Sequence, residues 1–185
     1  DRNAVSCGSI EHKMGIKGSA TCVINFDGAK GYLVGTENRG LNCMFTFMNT
    51  ARIGTGLEGL SASEAAFQGA LAYAKDRLQF RAMTGVKNPD GPADPIISHP
   101  DVRRMLLTQK AFAEGNRALA IYAMKLVDIT QASQDVDAKK LAESKLALLT
   151  PIVKAFLTET AQESTSYGMQ VFGGHGFIAE WGMEQ

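Results

Sequence analysis

The run Gln170-Val171-Phe172-Gly173-Gly174-His175-Gly176-Phe177 closes a long helical pattern and is the stretch of this chain best suited to chemistry. Three glycines within four residues permit positive φ and close backbone approach, so the helix is expected to stop there in a compact turn. Such a turn exposes backbone N–H groups that can hold a phosphate or another anion. An ordinary helix C-cap uses a glycine pair in the same way, so the turn alone leaves both uses open.

The elements that must position this turn follow from composition and period. With 185 residues the chain has room for one good-sized core or two small ones. Its 19 basic and 19 acidic residues cancel and form no long run of one sign, which argues against a nucleic-acid surface or a polybasic membrane patch. Cys7, Cys22 and Cys43 are odd in number and far apart. They are expected to be buried thiols in a reducing compartment rather than disulfides or zinc ligands. No signal peptide opens the chain and no apolar run approaches the ~20 residues of a membrane span, so a cytoplasmic protein is expected. The chain starts without Met and stops at Gln185, and is expected to be a piece of a longer protein.

Residues 1–35 read as β structure. The β-branched run Ala20-Thr21-Cys22-Val23-Ile24-Asn25-Phe26 ends in a turn at Asp27-Gly28. One or two strands make no stable sheet alone, so this segment is expected to be the edge of a β domain. From Leu41 the period changes to helical. Leu41, Met44, Phe45 and Met48, then Ile53, Leu57, Leu60, Phe67, Leu71, Ala74 and Leu78, keep steps of three, four or seven. Glu64 interrupts this stripe, and Gly54, Gly56, Gly59 and Gly69 suggest close approach of either another backbone or a ligand.

Residues 81–99 carry Gly85, Pro89, Gly91, Pro92 and Pro95 and read as a long loop. A second helix is expected over 100–130, with Val102, Met105, Leu106, Phe112, Ala120 and Ala123 or Leu126 on its buried face. A polar connection over 131–137 leads to a third helical region over 138–169. Pro151 lies inside it behind Thr150, a potential N-cap, so a kink or restart is expected there. The fold class expected is mainly α: an antiparallel up-down helical bundle (36–185, truncated before its last helix), preceded by edge strands of a β domain (1–35).

Three segments, in this order and spacing, resemble the C-terminal half of the acyl-CoA dehydrogenase family. Lys13-Met14-Gly15-Ile16-Lys17-Gly18-Ser19 leads into Val23-Ile24-Asn25-Phe26-Asp27, similar to the strand signature at the end of the family's middle β domain. Tyr73-Ala74-Lys75-Asp76-Arg77-Leu78-Gln79-Phe80 resembles the family's motif at the end of the first bundle helix. The glycine-rich run at 170–177 is the third. The stretch from Pro95 to Leu107 and the closing Glu180-Trp181-Gly182-Met183-Glu184-Gln185 look more like a subgroup of larger bacterial members with an added C-terminal region.

The resemblance implies an FAD enzyme that oxidises an acyl-CoA thioester to the 2,3-enoyl-CoA, by α-proton abstraction and β-hydride transfer to flavin. It assigns Arg77, Gln79, Phe80, Gln170, Gly173 and Gly174 to FAD held across a subunit boundary, which in turn implies a homodimer or homotetramer. An arginine suits a pyrophosphate because its planar fork binds oxyanions in pairs, although an arginine at a helix C-terminus also complements the dipole. Arg81 departs from the family, which commonly has Gly there, so the backbone after Phe80 is expected to turn differently. His99 aligns with a position that sometimes lines the same site, and a His before Pro at a helix start also serves structure.

Thr50-Ala51-Arg52 matches the motif facing the acyl-CoA pocket, which assigns Arg52 to substrate binding. Some members carry the catalytic Glu where this chain has Ala51, which cannot take a proton. The commoner catalytic Glu is expected beyond Gln185, so no catalytic residue is assigned within this chain, which alone is expected to be inactive. Glu180 and Glu184 read as surface residues. Electron-transfer flavoprotein is the electron acceptor that the resemblance implies. An acyl-CoA oxidase or flavin monooxygenase of the same fold is the alternative enzyme, and a non-catalytic helical assembly module the alternative without chemistry.

Overall fold

The computed structural model describes residues 2–184, and the chain folds as two compact units, Asp1–Met44 and Phe45–Gln185. In the first unit β1 (Val5–Ile10) pairs antiparallel with β2 (Cys22–Phe26). The register runs from Val5 opposite Phe26 to Ile10 opposite Cys22, with an irregularity between Cys7 and Ser9. Every residue of both strands is exposed. The expectation of buried thiols therefore fails: Cys7, Cys22 and Cys43 are all exposed and none forms a disulfide. For Cys7 and Cys22 burial needs a second layer, and among the described residues neither strand has one, whereas Cys43 lies on the first turn of a helix.

Three long helices follow: α1 (Gly40–Asp76), α2 (Pro100–Ala132) and α3 (Val136–Phe172). Leu60 packs with Ala120 and Ala123 of α2 and with Val153 and Leu157 of α3. Further on, Ala70 and Ala74 pack with Met105, Leu106, Val171 and Phe172. As numbering rises along α1 it falls along α2 and rises along α3, so α2 is antiparallel to both. The C-terminal ends of α1 and α3 and the start of α2 thus share one end of the bundle.

The glycines of α1 divide by role. A Cβ at Gly56 would meet the Val153 side chain at 3.1 Å, and one at Gly59 would meet the Leu157 carbonyl oxygen at 2.7 Å. These two mark where the backbones of α1 and α3 come close. Gly54 faces open space. The break in the apolar stripe at Glu64 is an interhelix tie: its carboxylate accepts from Arg117 of α2 at 2.8 Å and from Gln68 at 2.7 Å.

Two helix boundaries correct the reading of the sequence. Leu78 lies beyond α1, where it forms an isolated antiparallel bridge with Pro95. Pro151 causes no restart, and Thr150 caps nothing. Instead α3 runs unbroken through both, and the Thr150 hydroxyl donates to the Leu146 carbonyl at 2.7 Å. The hydrogen bond that Pro151 cannot make is offset by burial of the next turns, where Val153 and Leu157 are wholly enclosed by α1 and α2. The connection before α3 is also shorter than expected, because the Asp135 carboxylate accepts from the Asp137 and Ala138 N–H groups and starts the helix early.

The core also holds polar groups that the apolar pattern did not show. Ser63, Gln109, Asn116, Thr160 and Ser164 are buried. Asn116 donates to the Thr160 hydroxyl at 2.8 Å, and Thr160 donates in turn to the Phe156 carbonyl at 2.8 Å.

Candidate functional site

The loop between α1 and α2 is expected to be irregular, yet one side chain organises it. Asp94 is fully buried. Its carboxylate accepts from the N–H groups of Ala82 at 2.8 Å, Lys87 at 2.9 Å and Asn88 at 2.7 Å, and from the Arg81 guanidinium at 3.3 Å. The Ala82 N–H, helped by those of Asn88 and Lys87 and by Arg81, outweighs burial and holds the Asp94 pKa at about 2.

The sign of the resulting pH dependence is fixed by that direction. A carboxyl whose folded pKa lies below its unfolded value, about 3.9, favours the folded loop above that value. The preference is lost as the pH falls from there towards 2. Amide exchange at Ala82, Lys87 and Asn88, corrected for its intrinsic pH dependence, is therefore expected to accelerate over that window. Protection that stays flat across it would contradict the arrangement.

Arg77 follows the last turn of α1, with its N–H on the Tyr73 carbonyl at 2.8 Å. The next residues are fastened to Asp94 by main chain: Gln79 N–H donates to the Asp94 carbonyl at 2.9 Å, and Asp94 N–H donates to the Phe80 carbonyl at 2.8 Å. Phe80 has φ +57°, a left-handed conformation unusual for an aromatic residue, and its ring is exposed. The His99 ring donates through Nε2 to the Gln79 carbonyl at 2.8 Å. Across from these, α3 ends at Gly173, with φ +59° and its N–H on the Gln170 carbonyl.

Seven of these residues border one hollow of about 570 Å³. Arg77, Gln79, Phe80 and His99 line one side, and Gln170, Gly173 and Gly174 the other. The six residues that the motifs single out, and His99 with them, are thus brought together. Arg52 is not among them. It lines a separate hollow of about 530 Å³, together with Asn49, Thr50, Glu143 and Thr150. There its guanidinium sits 5.6 Å from the centre of the Phe45 ring and donates to Asn49 Oδ1 at 3.5 Å.

The first hollow has the makings of an anion cradle. Arg77 has no ion pair among the described residues. Gly173 and Gly174 are exposed, and a Cβ on either would meet nothing within 4 Å, so the backbone there is open to a ligand. Exposed Phe80 adds a stacking face, and the amides of Gln79 and Gln170 add donors and acceptors. A long anionic molecule with a planar ring, such as a dinucleotide, fits this donor set.

Some residues of this site were not singled out by the sequence. Tyr73 stacks on Phe172 with ring centres 4.4 Å apart, and its hydroxyl bonds to His175 Nδ1 at 3.0 Å. His175 in turn stacks on Trp181 at 4.9 Å. The signal was present, since Tyr73 and His175 both belong to the motifs. Glu180 and Glu184 are exposed and line neither of these two hollows. Among the described residues no group of His, Cys, Asp and Glu is arranged to hold a metal ion, and no helix is long and apolar enough to cross a membrane.

A family model described as acyl-CoA dehydrogenase, C-terminal domain, matches residues 38–185. The chain belongs to the acyl-CoA dehydrogenase family. It is 47% identical over 184 residues to 3-methylmercaptopropionyl-CoA dehydrogenase of Ruegeria pomeroyi, covering 100% of this chain and 31% of that protein. To the broad-specificity linear acyl-CoA dehydrogenase FadE5 of Mycobacterium tuberculosis it is 39% identical over 191 residues, again covering 100% of this chain and 31% of the relative. An acyl-CoA dehydrogenase of Bacillus subtilis, of which it spans 41%, is only 26% identical. Similarity is thus greater to the longer bacterial members, in keeping with the subgroup that 95–107 and the closing residues resemble.

Among solved structures, butyryl-CoA dehydrogenase from Megasphaera elsdenii aligns with a TM-score of 0.75 at 25% identity, over 98% of this chain and 42% of that one. The chain spans about a third of the length of the two relatives from Ruegeria pomeroyi and Mycobacterium tuberculosis. The match to the family's C-terminal domain begins at residue 38, after both strands.

Proposed function

We propose that the full-length protein is an FAD-dependent acyl-CoA dehydrogenase, in which this chain holds the adenosine-pyrophosphate part of FAD and one wall of the acyl-CoA pocket. One observation carries the reading: Arg77, Gln79 and Phe80 after α1 and Gln170, Gly173 and Gly174 after α3 line the same hollow. Packing of three helices does not require an unpaired arginine and an open glycine backbone to meet there. Arg77 binds the pyrophosphate through its planar fork. The backbone at Gly173 and Gly174 lies against the adenosine side, with Phe80 as an aromatic face.

FAD, when bound, supplies the acceptor for the hydride leaving the substrate β-carbon. The carboxylate that takes the α-proton is placed beyond Gln185, since Ala51, at the other position where the resemblance puts a base, has no group to take it. Arg52 faces the acyl-CoA in its own hollow. Electron-transfer flavoprotein is the onward acceptor. The protein is cytoplasmic and works as a homodimer or homotetramer, with the Arg77 hollow serving a neighbour's FAD. Exposed Ile121, Tyr122, Leu148 and Phe156 on α2 and α3 supply apolar surface for such assembly.

The test is anaerobic mixing of the full-length protein with acyl-CoA thioesters of graded chain length. Bleaching of the visible flavin band with formation of the enoyl-CoA is expected for at least one. No bleaching with any of them would overturn the reading, and peroxide formed in step with enoyl-CoA under air would point to oxidase chemistry. Arg52→Ala is expected to lower kcat/KM for the acyl-CoA by about 10-fold or more, the loss of a charged hydrogen-bond partner, while FAD content stays unchanged. Loss of FAD in this variant would contradict the division of roles between the two arginines.

A further inference from the structure

We propose that Asp94 is a positioning residue for the dinucleotide hollow, fastening the loop after α1 so that Gln79 and Phe80 face the cofactor. This rests on the FAD reading above. The residue is fully buried, yet lines no part of the hollow itself. Its influence runs through what it grips. Its side chain accepts from Arg81 and from the N–H groups of Ala82, Lys87 and Asn88, while its main chain takes the Gln79 N–H and gives its own N–H to the Phe80 carbonyl. Both neighbours in the hollow therefore hang from one residue.

Two features show that this grip sets geometry at the hollow and does more than tidy a loop. Phe80 is held at φ +57°, a conformation an L-residue leaves unless its surroundings impose it. The constraint comes from Asp94 on one side and, through the Gln79 carbonyl, from His99 on the other. The second feature is Arg81. Only four residues beyond Arg77, it would add a second free cation beside the hollow. Instead its guanidinium is spent on Asp94 and on the carbonyls of Asn88 at 2.8 Å and Gly91 at 2.6 Å. Among the described residues that line the hollow, Arg77 is left as the arginine without an ion pair. Arginine in place of the family's glycine is thus matched by a buried carboxylate that turns it away.

The test uses the full-length holoenzyme and its apoprotein. Asp94→Asn keeps the shape but replaces an all-acceptor group with one that donates toward N–H groups already pointing at it. The dissociation constant for FAD is expected to rise about tenfold or more, as for loss of a charge-assisted hydrogen bond. ADP, which carries only the half of FAD assigned here, is expected to weaken by a similar factor, and excess FAD to restore full occupancy. A lower melting temperature of the apoprotein with unchanged FAD and ADP affinity would reduce Asp94 to a loop anchor and overturn the inference. If Asp94→Asn does not fold, Arg81→Gln, at a half-exposed side chain, carries the test with an expected weakening of about threefold, and unchanged affinities there would overturn it equally. Arg77→Ala separates the two levels. If that variant loses FAD while Asp94→Asn and Arg81→Gln do not, only the positioning role fails. If Arg77→Ala keeps FAD as tightly as the parent, the FAD reading fails and takes this inference with it.

Discussion

Replacing Arg77 with alanine in the full-length protein is expected to raise the dissociation constant of FAD by about one to two decades. A hydrogen bond between charged partners contributes about 1.5–3 kcal/mol, which converts to that range. The position supports so large a figure. Arg77 follows the end of α1, has no ion pair among the described residues, and borders a hollow whose other wall is open glycine backbone. Arg81, the nearest arginine in sequence, does not replace it, because it is engaged with Asp94 and two carbonyls. Arg52 lies 25 residues earlier on the same helix, roughly 37 Å along its axis, too far to compensate. FAD content after gel filtration and a fluorescence titration of the apoprotein measure the effect. Full occupancy at undiminished affinity would leave Arg77 as a residue that only complements the helix dipole.

Gly59→Val is expected to destabilise the helical unit by about 1–3 kcal/mol in chemical denaturation, the usual cost of overpacking a close contact. A Cβ there would lie 2.7 Å from the Leu157 carbonyl oxygen and 3.1 Å from the Thr158 Cα. Both are backbone atoms of α3, which cannot swing aside as the end of a side chain does. Leu157 is itself wholly buried, so relief would have to move α3 as a body. The better helix propensity of a substituted residue, at most about 1 kcal/mol over glycine, offsets only part of this. Gly54→Ala is the control: with nothing within 4 Å of its Cβ, it is expected to raise stability by about 0.5–1 kcal/mol. Equal effects at the two sites would mean that α1 and α3 do not approach as closely as described.

Reading of the sequence reached furthest where the signal is local. The helical stripe through Ile53, Leu60 and Ala74 and the one through Met105, Leu106 and Ala120 mark faces that are buried in the structure. Helix ends were legible to within a few residues, because Pro100 and the glycines at 173 and 174 act through their own backbone preferences. Where a tertiary contact competes with a local preference, the local signal gave the wrong answer. Pro151 breaks no helix, since Val153 and Leu157 anchor the turns that follow it. The thiols of Cys7 and Cys22 lie exposed because no second layer covers their strands among the described residues, and Cys43 lies exposed on the first turn of α1. Asp94 stood unremarked in a loop rich in proline and glycine, for its four donors come from residues whose positions only the folded loop defines.

By itself the sequence determined the three helices, their order, and the motifs that carry the resemblance to the acyl-CoA dehydrogenases, among them the two at 73–80 and 170–177. Period and capping are properties of neighbouring residues, so they survive in a linear text. Only the tertiary structure decided that the two motifs meet. Residues 77–80 and 170–174 border one hollow because α2 runs antiparallel to both α1 and α3, which brings the ends of α1 and α3 to the same end of the bundle. Arg52, on α1 and 25 residues before Arg77, falls to a different hollow, lined also by the end of α2 and the first half of α3, because that separation covers most of the length of α1.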